Sequence, residues 1–479
     1  MAMHRWVITA TFSLGVFPFT VMAAVSQASS GAPSGASTIL PTPQVTTSVS
    51  QQYSTKENSL ATDSGTATAD TGSVEKSTKT IESLSRQTRR LDKGYLRLVA
   101  PGKPYFEELP STTFDLQLLK NRNNIEPHTL NLGGYLEFDA QYWHAHSGGV
   151  VVGPSHELLP DQGEGLYTTT VDLDTLANLN DYTTFFAKVE QEDIGTPQAH
   201  MIFRKALLNF GNLDKSPFFL TLGKSYLPFG VYGGGGVWSV PLTRSAFRPS
   251  EVPQIMLGYF KDGFNSNLAV FGNDGDTTNK EIADYVYSVY FSGTPQYGVG
   301  YTVGAGYMND LRGLSSSLGA AYKQNGELSA SKHVPAYDLN AEASYSNLDL
   351  TAEYISALRQ GTYNSNVDTT GQDIVSAGET QELPSAWELG ASYTKPWCNR
   401  PMYYSLSYSK TYHMAGIPMG LSSQPIPGPV AVEGIQSAWI ASIARSLEDN
   451  LILGFEWQRA HTYDANSGDS YTLDLSMYF

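Results

Sequence analysis

Cysteine is nearly absent: Cys398 is the single one among 479 residues, so no internal disulfide can form and no thiolate metal cage is available. Charge is scarce as well. Only 16% of residues are charged, and the formal net charge of -16 would repel nucleic-acid phosphates, so no nucleic-acid partner is expected. Beyond the first residues no apolar run is long enough for a helical membrane span. No GxSxG elbow occurs, and the histidines have no readable serine and acid partners, so neither an enzyme nor a cofactor is implied. What the chain does have is tyrosine (29), glycine (44), tryptophan (7) and short stretches of apolar and polar alternation. A transmembrane β-barrel has that composition, because only alternate side chains face lipid and interfacial aromatics form girdles.

The amino terminus predicts export. His4 and Arg5 precede the run WVITATFSLGVFPFTVM, and the small residues Ala23, Ala24 and Ala28 suit cleavage near Ala23 or Ala28; residues 1–23 are read as a signal peptide. Pro18 and the missing stop-transfer flank argue against a retained anchor. Residues 24–73 are Ser, Thr, Ala and Gly with few large apolar groups, the composition of a flexible periplasmic tether. Over 74–94, Val74, Ser77, Ile81, Leu84, Thr88 and Leu91 fall at heptad a and d spacing before Gly94. That predicts a short amphipathic helix, with a self-associating coiled coil and hence a homo-oligomer as the alternative. Residues 95–130 read as an irregular periplasmic lead-in.

From 131 to 479 the period changes to two. Sixteen strands are expected, at 131–144, 167–176, 182–191, 200–211, 216–225, 254–261, 263–272, 284–291, 297–308, 336–346, 347–358, 386–394, 401–411, 436–446, 451–461 and 471–479. Among the clearest is LGGYLEFDAQYW, where Leu136, Phe138, Ala140 and Tyr142 oppose Glu137, Asp139 and Gln141. The segments 167–176 and 200–211 are the weakest. Even-numbered connectors are short and odd-numbered ones longer, the order required of an up-and-down antiparallel barrel with both termini in the periplasm. A Greek-key sandwich has no reason to show it. The fold class is therefore an all-β transmembrane barrel in the bacterial outer membrane. Its closing strand is YTLDLSMYF, with Tyr471, Leu473, Leu475, Met477 and Phe479 on the lipid side as the signal read by the barrel-assembly machinery. Outer-membrane lipid and lipopolysaccharide are its other expected partners.

The third outer connector, 227–254, carries the candidate site. Gly233, Gly234, Gly235 and Gly236 form a hinge, while Pro241, Pro249 and Pro253 stiffen the remainder, so the loop could fold inward as a constriction. Trp238, Arg244 and Arg248 on it, with Lys224 just before it, would then face a passing acidic or chelating solute. The competing reading is a surface loop whose arginines pair with lipopolysaccharide phosphates or neighbouring carboxylates. Inward-facing carboxylates are many, among them Glu137, Asp139, Glu353, Glu388, Glu456 and Asp474. A wet polar lumen accounts for most of them. His144 and His146 in WHAH, with His156, form a weak metal candidate.

The stretch AHMIFRKALLNFGNLDKSPFFLTLGKSYLPFG (199–230), with LGGYLEFDAQYW and GYFKDGFNSNLAVFGNDGD (258–276), resembles the LbtU family of siderophore porins. The resemblance implies a plug-less sixteen-stranded barrel that takes up a ferric siderophore or iron. A general or anion-selective diffusion porin is the alternative function.

Overall fold

The computed structural model describes residues 114–145, 162–192, 200–249, 251–272, 284–293, 298–311, 333–359, 383–415, 434–463 and 465–479, with a few isolated positions between them. The signal peptide, tether and heptad segment expected over 1–94 lie outside the described residues, as do His146 and His156. Sixteen antiparallel strands close into a barrel in which each strand pairs with its sequence neighbours. They are β1 (Leu130–Ala145), β2 (Gln162–Asn180), β3 (Thr183–Glu192), β4 (His200–Gly211), β5 (Phe218–Tyr226), β6 (Glu251–Lys261), β7 (Phe264–Phe271) and β8 (Asp284–Gly293). The second half comprises β9 (Val299–Met308), β10 (Ala336–Tyr345), β11 (Leu348–Ala357), β12 (Ser385–Trp397), β13 (Arg400–Tyr412), β14 (Ile435–Glu448), β15 (Leu451–Thr462) and β16 (Ser467–Tyr478).

Alternation decides which face each side chain takes. On β16, Tyr471, Leu473 and Leu475 are exposed on the outside while Thr472, Asp474 and Ser476 are buried inside. The same division holds on β6, where Ile255 and Leu257 point out and Gln254 and Met256 point in. A closed barrel with an apolar outside satisfies every backbone group within the sheet and leaves no edge in lipid. The chain is thus an outer-membrane β-barrel. At one end of the barrel the turns are tight: Asp262 and Gly263, and Cys398 and Asn399, have positive φ at both central positions, as hairpins matched to strand twist require.

The seam joins β1 to β16, with Tyr135 opposite Tyr478 and Asp139 opposite Asp474. One residue further, Phe479 and Gly134 exchange backbone hydrogen bonds at 3.0 and 3.1 Å. A side chain on Gly134 would collide with the Phe479 ring, so the aromatic takes the space that the glycine leaves.

The core lies inside the barrel. Of the lead-in, residues 114–130 are described. They begin with helix α1 (Phe114–Lys120), whose Phe114 and Leu118 bury themselves against the inward-facing Leu176, Phe186 and Leu207 of β2, β3 and β4. Phe114 and Phe186 meet edge to face at 4.7 Å. Asn209 Nδ2 donates to the Asp115 carbonyl at 2.7 Å, and Arg122 donates to the carbonyl oxygens of Gly211 and Asn180 at the tight turns. The inward face of these strands is apolar at just the positions that the helix covers, which is why α1 packs there.

Candidate functional site

The connector 227–250 leaves β5 and turns into the lumen. Leu227, Phe229, Tyr232, Leu242 and Phe247 are buried together with inward-facing residues such as Met256, Met308, Ile355 and Ala386. Its second half forms helix α2 (Leu242–Phe247). Burial of those side chains drives the loop inward, but its backbone N–H groups then need acceptors away from water.

Glutamates from two strands supply them, and one from a third strand holds a side-chain hydroxyl of the loop. Glu353 on β11 accepts from Val231 N at 2.5 Å and Tyr232 N at 3.0 Å. Glu456 on β15 accepts from Trp238 N at 2.9 Å and Ser239 N at 3.0 Å, and also from the Ser239 hydroxyl. Glu388 on β12 accepts from the Thr243 hydroxyl. Serines on β13 complete the attachment: Ser409 Oγ accepts from Leu242 N at 3.1 Å, and Ser405 Oγ donates to the Gly235 carbonyl at 3.0 Å. A typical intramolecular hydrogen bond contributes about 0.5–1.5 kcal/mol net, and together this set holds the loop against the far wall. Within the loop, Tyr232 OH donates to the Phe247 carbonyl at 2.8 Å, tying the descending limb to α2. Burial beside the Glu353 and Asp338 carboxylates keeps that phenol well above the usual tyrosine range.

The glycine run expected as a hinge lies against the barrel wall, close to Thr351, Glu388 and Glu456. Gly234 and Gly235 have φ of +85° and +93°, and a Cβ on Gly236 would stand 1.9 Å from Glu456 Oε2. Only hydrogen at that position permits the glutamate to reach Trp238 and Ser239. Trp238 is buried, its ring stacked over Tyr167 of β2 with centroids 6.3 Å apart.

The predicted cations are distributed differently from expectation. Arg248 lies over the Tyr226 ring at 4.7 Å, with Nη2 3.9 Å from Glu251. Arg244 is near enough for its charge to act on Glu388. The loop therefore folds inward while both arginines face neighbouring carboxylates. Lys224 does not join them: it stands opposite Pro253, on the outward face of β5 that it shares with Phe218 and Leu220. The inward positions of that strand are Phe219, Thr221 and Ser225, so Lys224 is removed from the constriction.

Other lumenal cations belong to a charge ladder that the sequence reading passed over. Lys188 Nζ lies 2.5 Å from Asp172 and 3.8 Å from Glu190, and Arg204 bridges Glu190 at 3.1 Å and Glu251 at 3.4 Å. His144 stands near the C-terminal end of β1 opposite Asp469. Among the described residues it belongs to neither grouping of carboxylate and imidazole atoms close enough to share an ion. The loop-binding role of Glu353, Glu388 and Glu456 was missed because, in sequence, they look like any inward carboxylate. The available signal was a glycine-rich loop with many N–H groups and few acceptors of its own.

Residues 106–336 match a family described as a protein of unknown function, DUF3573. A UPF0422 protein of Legionella pneumophila is 25% identical over 50% of this chain and 46% of its own length. One of Coxiella burnetii is 23% identical over 51% of each. The chain spans about half the length of these curated relatives. Among solved structures, the outer membrane channel DcaP of Acinetobacter baumannii is similar with a TM-score of 0.47 and 12% identity, over 73% of this chain and 97% of that one.

Proposed function

We propose that this barrel is a loop-gated channel for small solutes, with a preference for cationic ones. The observation that carries the reading is the inward loop 227–250, clamped across the lumen by Glu353, Glu388 and Glu456. A loop so placed narrows the path, and release of its tip widens it. The preference rests on the make-up of the wall: around Lys188 and Arg204 the acidic side chains Asp172, Asp174, Glu190 and Glu251 outnumber the cations. Iron or a ferric siderophore, the cargo implied by the resemblance to siderophore porins, enters this reading in cationic form more readily than as an anionic chelate. An anion-selective porin is disfavoured by the same wall, because Arg244 and Arg248 face carboxylates.

Reversal potentials across a planar bilayer under a salt gradient test the selectivity. Cation preference is expected, and anion preference would overturn it. Growth of a deletion strain under iron limitation, with and without the purified siderophore, tests the cargo: a strain unaffected in both conditions would remove iron from the reading.

A further inference from the structure

Three carboxylates converge on the lumenal side of the closing seam. Glu137 and Asp139 of β1 and Asp474 of β16 are all buried, and each places an oxygen within 4.8 Å of the other two. The register brings them together: Asp139 stands opposite Asp474, and Glu137 occupies the adjacent inward rung opposite Ser476. Part of their hydrogen-bonding capacity is met by hydroxyl donors. Thr169 donates to Asp139, Thr170 to Glu137 at 2.7 Å, and Ser476 to Asp474 at 2.8 Å.

A second observation concerns the oxygens around them. Asp139 Oδ1 is buried with no hydrogen-bond partner. On the next inward rung outward along the seam, Gln141 faces Thr472, and Gln141 Oε1 and Thr472 Oγ1 are likewise buried without one. Gln141 is 5% exposed and Thr472 1%. Buried oxygens left unpaired beside mutually repelling carboxylates are costly unless a cation meets them. The donor set is oxygen only, mixing carboxylate, amide and hydroxyl. Zinc favours nitrogen and sulfur, whereas calcium takes six to eight such oxygens in irregular geometry.

We infer that the seam binds a hard divalent cation of the calcium class, held by Glu137, Asp139 and Asp474 and completed by Gln141 and Thr472. The ion bridges the first and last strands and so fastens the closure of the barrel. It also stands beside the loop clamp, because Glu456 of β15 lies opposite Thr472. The inference is independent of what the channel carries.

The purified barrel in detergent, stripped with EDTA, is titrated with calcium while its melting temperature is followed. Terbium serves as a luminescent probe, since Tyr135 OH lies 3.1 Å from the Ser476 hydroxyl that donates to Asp474 and can sensitise it. A saturable rise in melting temperature is expected, with a midpoint of about 0.1–1 mM as in extracellular calcium sites. Calcium should displace the terbium signal. Asp139→Asn combined with Asp474→Asn should abolish both responses, and Gln141→Met should raise the midpoint while leaving all the carboxylates in place. No saturable response below about 10 mM, beyond the weakest ordinary site, would overturn the inference. So would an equal response in the double variant, or stabilisation by acid alone, which would mean that the carboxylates share protons instead.

Discussion

Replacing Glu456 by alanine should release the loop tip. The carboxylate accepts from Trp238 N and Ser239 N, both inside the lumen, and its loss leaves two buried backbone donors without an acceptor. Each orphaned donor costs about 1–3 kcal/mol, so the pair costs about 2–6 kcal/mol. With tenfold for every 1.4 kcal/mol, the released population of the tip rises roughly 30-fold to 10⁴-fold. Glu353 and Glu388 still hold the two limbs, so the barrel itself should remain folded. Glutamine at the same position separates hydrogen bonding from charge. Oε2 alone lies 2.9 Å from Trp238 N and 3.1 Å from Ser239 N, so one amide oxygen placed there keeps both backbone bonds. Single-channel recordings should show larger and noisier conductance for Glu456→Ala and near-native steps for Glu456→Gln. Identical behaviour of the two variants would refute the argument, as would an alanine variant with native conductance.

Two further outcomes are expected. Burial pushes the Asp115 carboxyl on α1 from an ordinary 3.8 up to about 6, against the pull of Lys205. The folded protein therefore binds this proton before the unfolded chain does, and its contribution destabilises the barrel by roughly 3 kcal/mol above pH 6 and fades as the pH falls toward 4. Asp115→Asn should accordingly be more stable than the parent at pH 7 and equal to it near pH 4 in urea titrations; parallel pH profiles would contradict this. Deleting Phe479 removes both backbone bonds to Gly134, whereas Phe479→Ser removes only the ring that covers it. Heat-modifiable barrel in outer-membrane fractions should fall in both, further in the deletion, and native amounts in the deletion would show that the seam closes without it.

The sixteen strands were legible in the sequence, because alternation at period two is a local property that survives without knowledge of neighbours. It placed even the weaker segments, now β2 and β4, and identified the closing strand from Tyr471 to Met477. The length and glycine content of 227–250 were enough to suggest an inward fold. Tertiary structure alone decided where that loop would attach, since Glu353, Glu388 and Glu456 lie more than a hundred residues from their partners and differ in no local feature from inward carboxylates left to water. It also decided that Lys224 faces outward, where chain proximity to the loop had suggested the pore. The packing of α1 into the lumen likewise depends on Leu176, Phe186 and Leu207 arriving side by side from three strands. Faces follow from the period of one strand; partners follow from closure, which brings together residues that no local pattern connects.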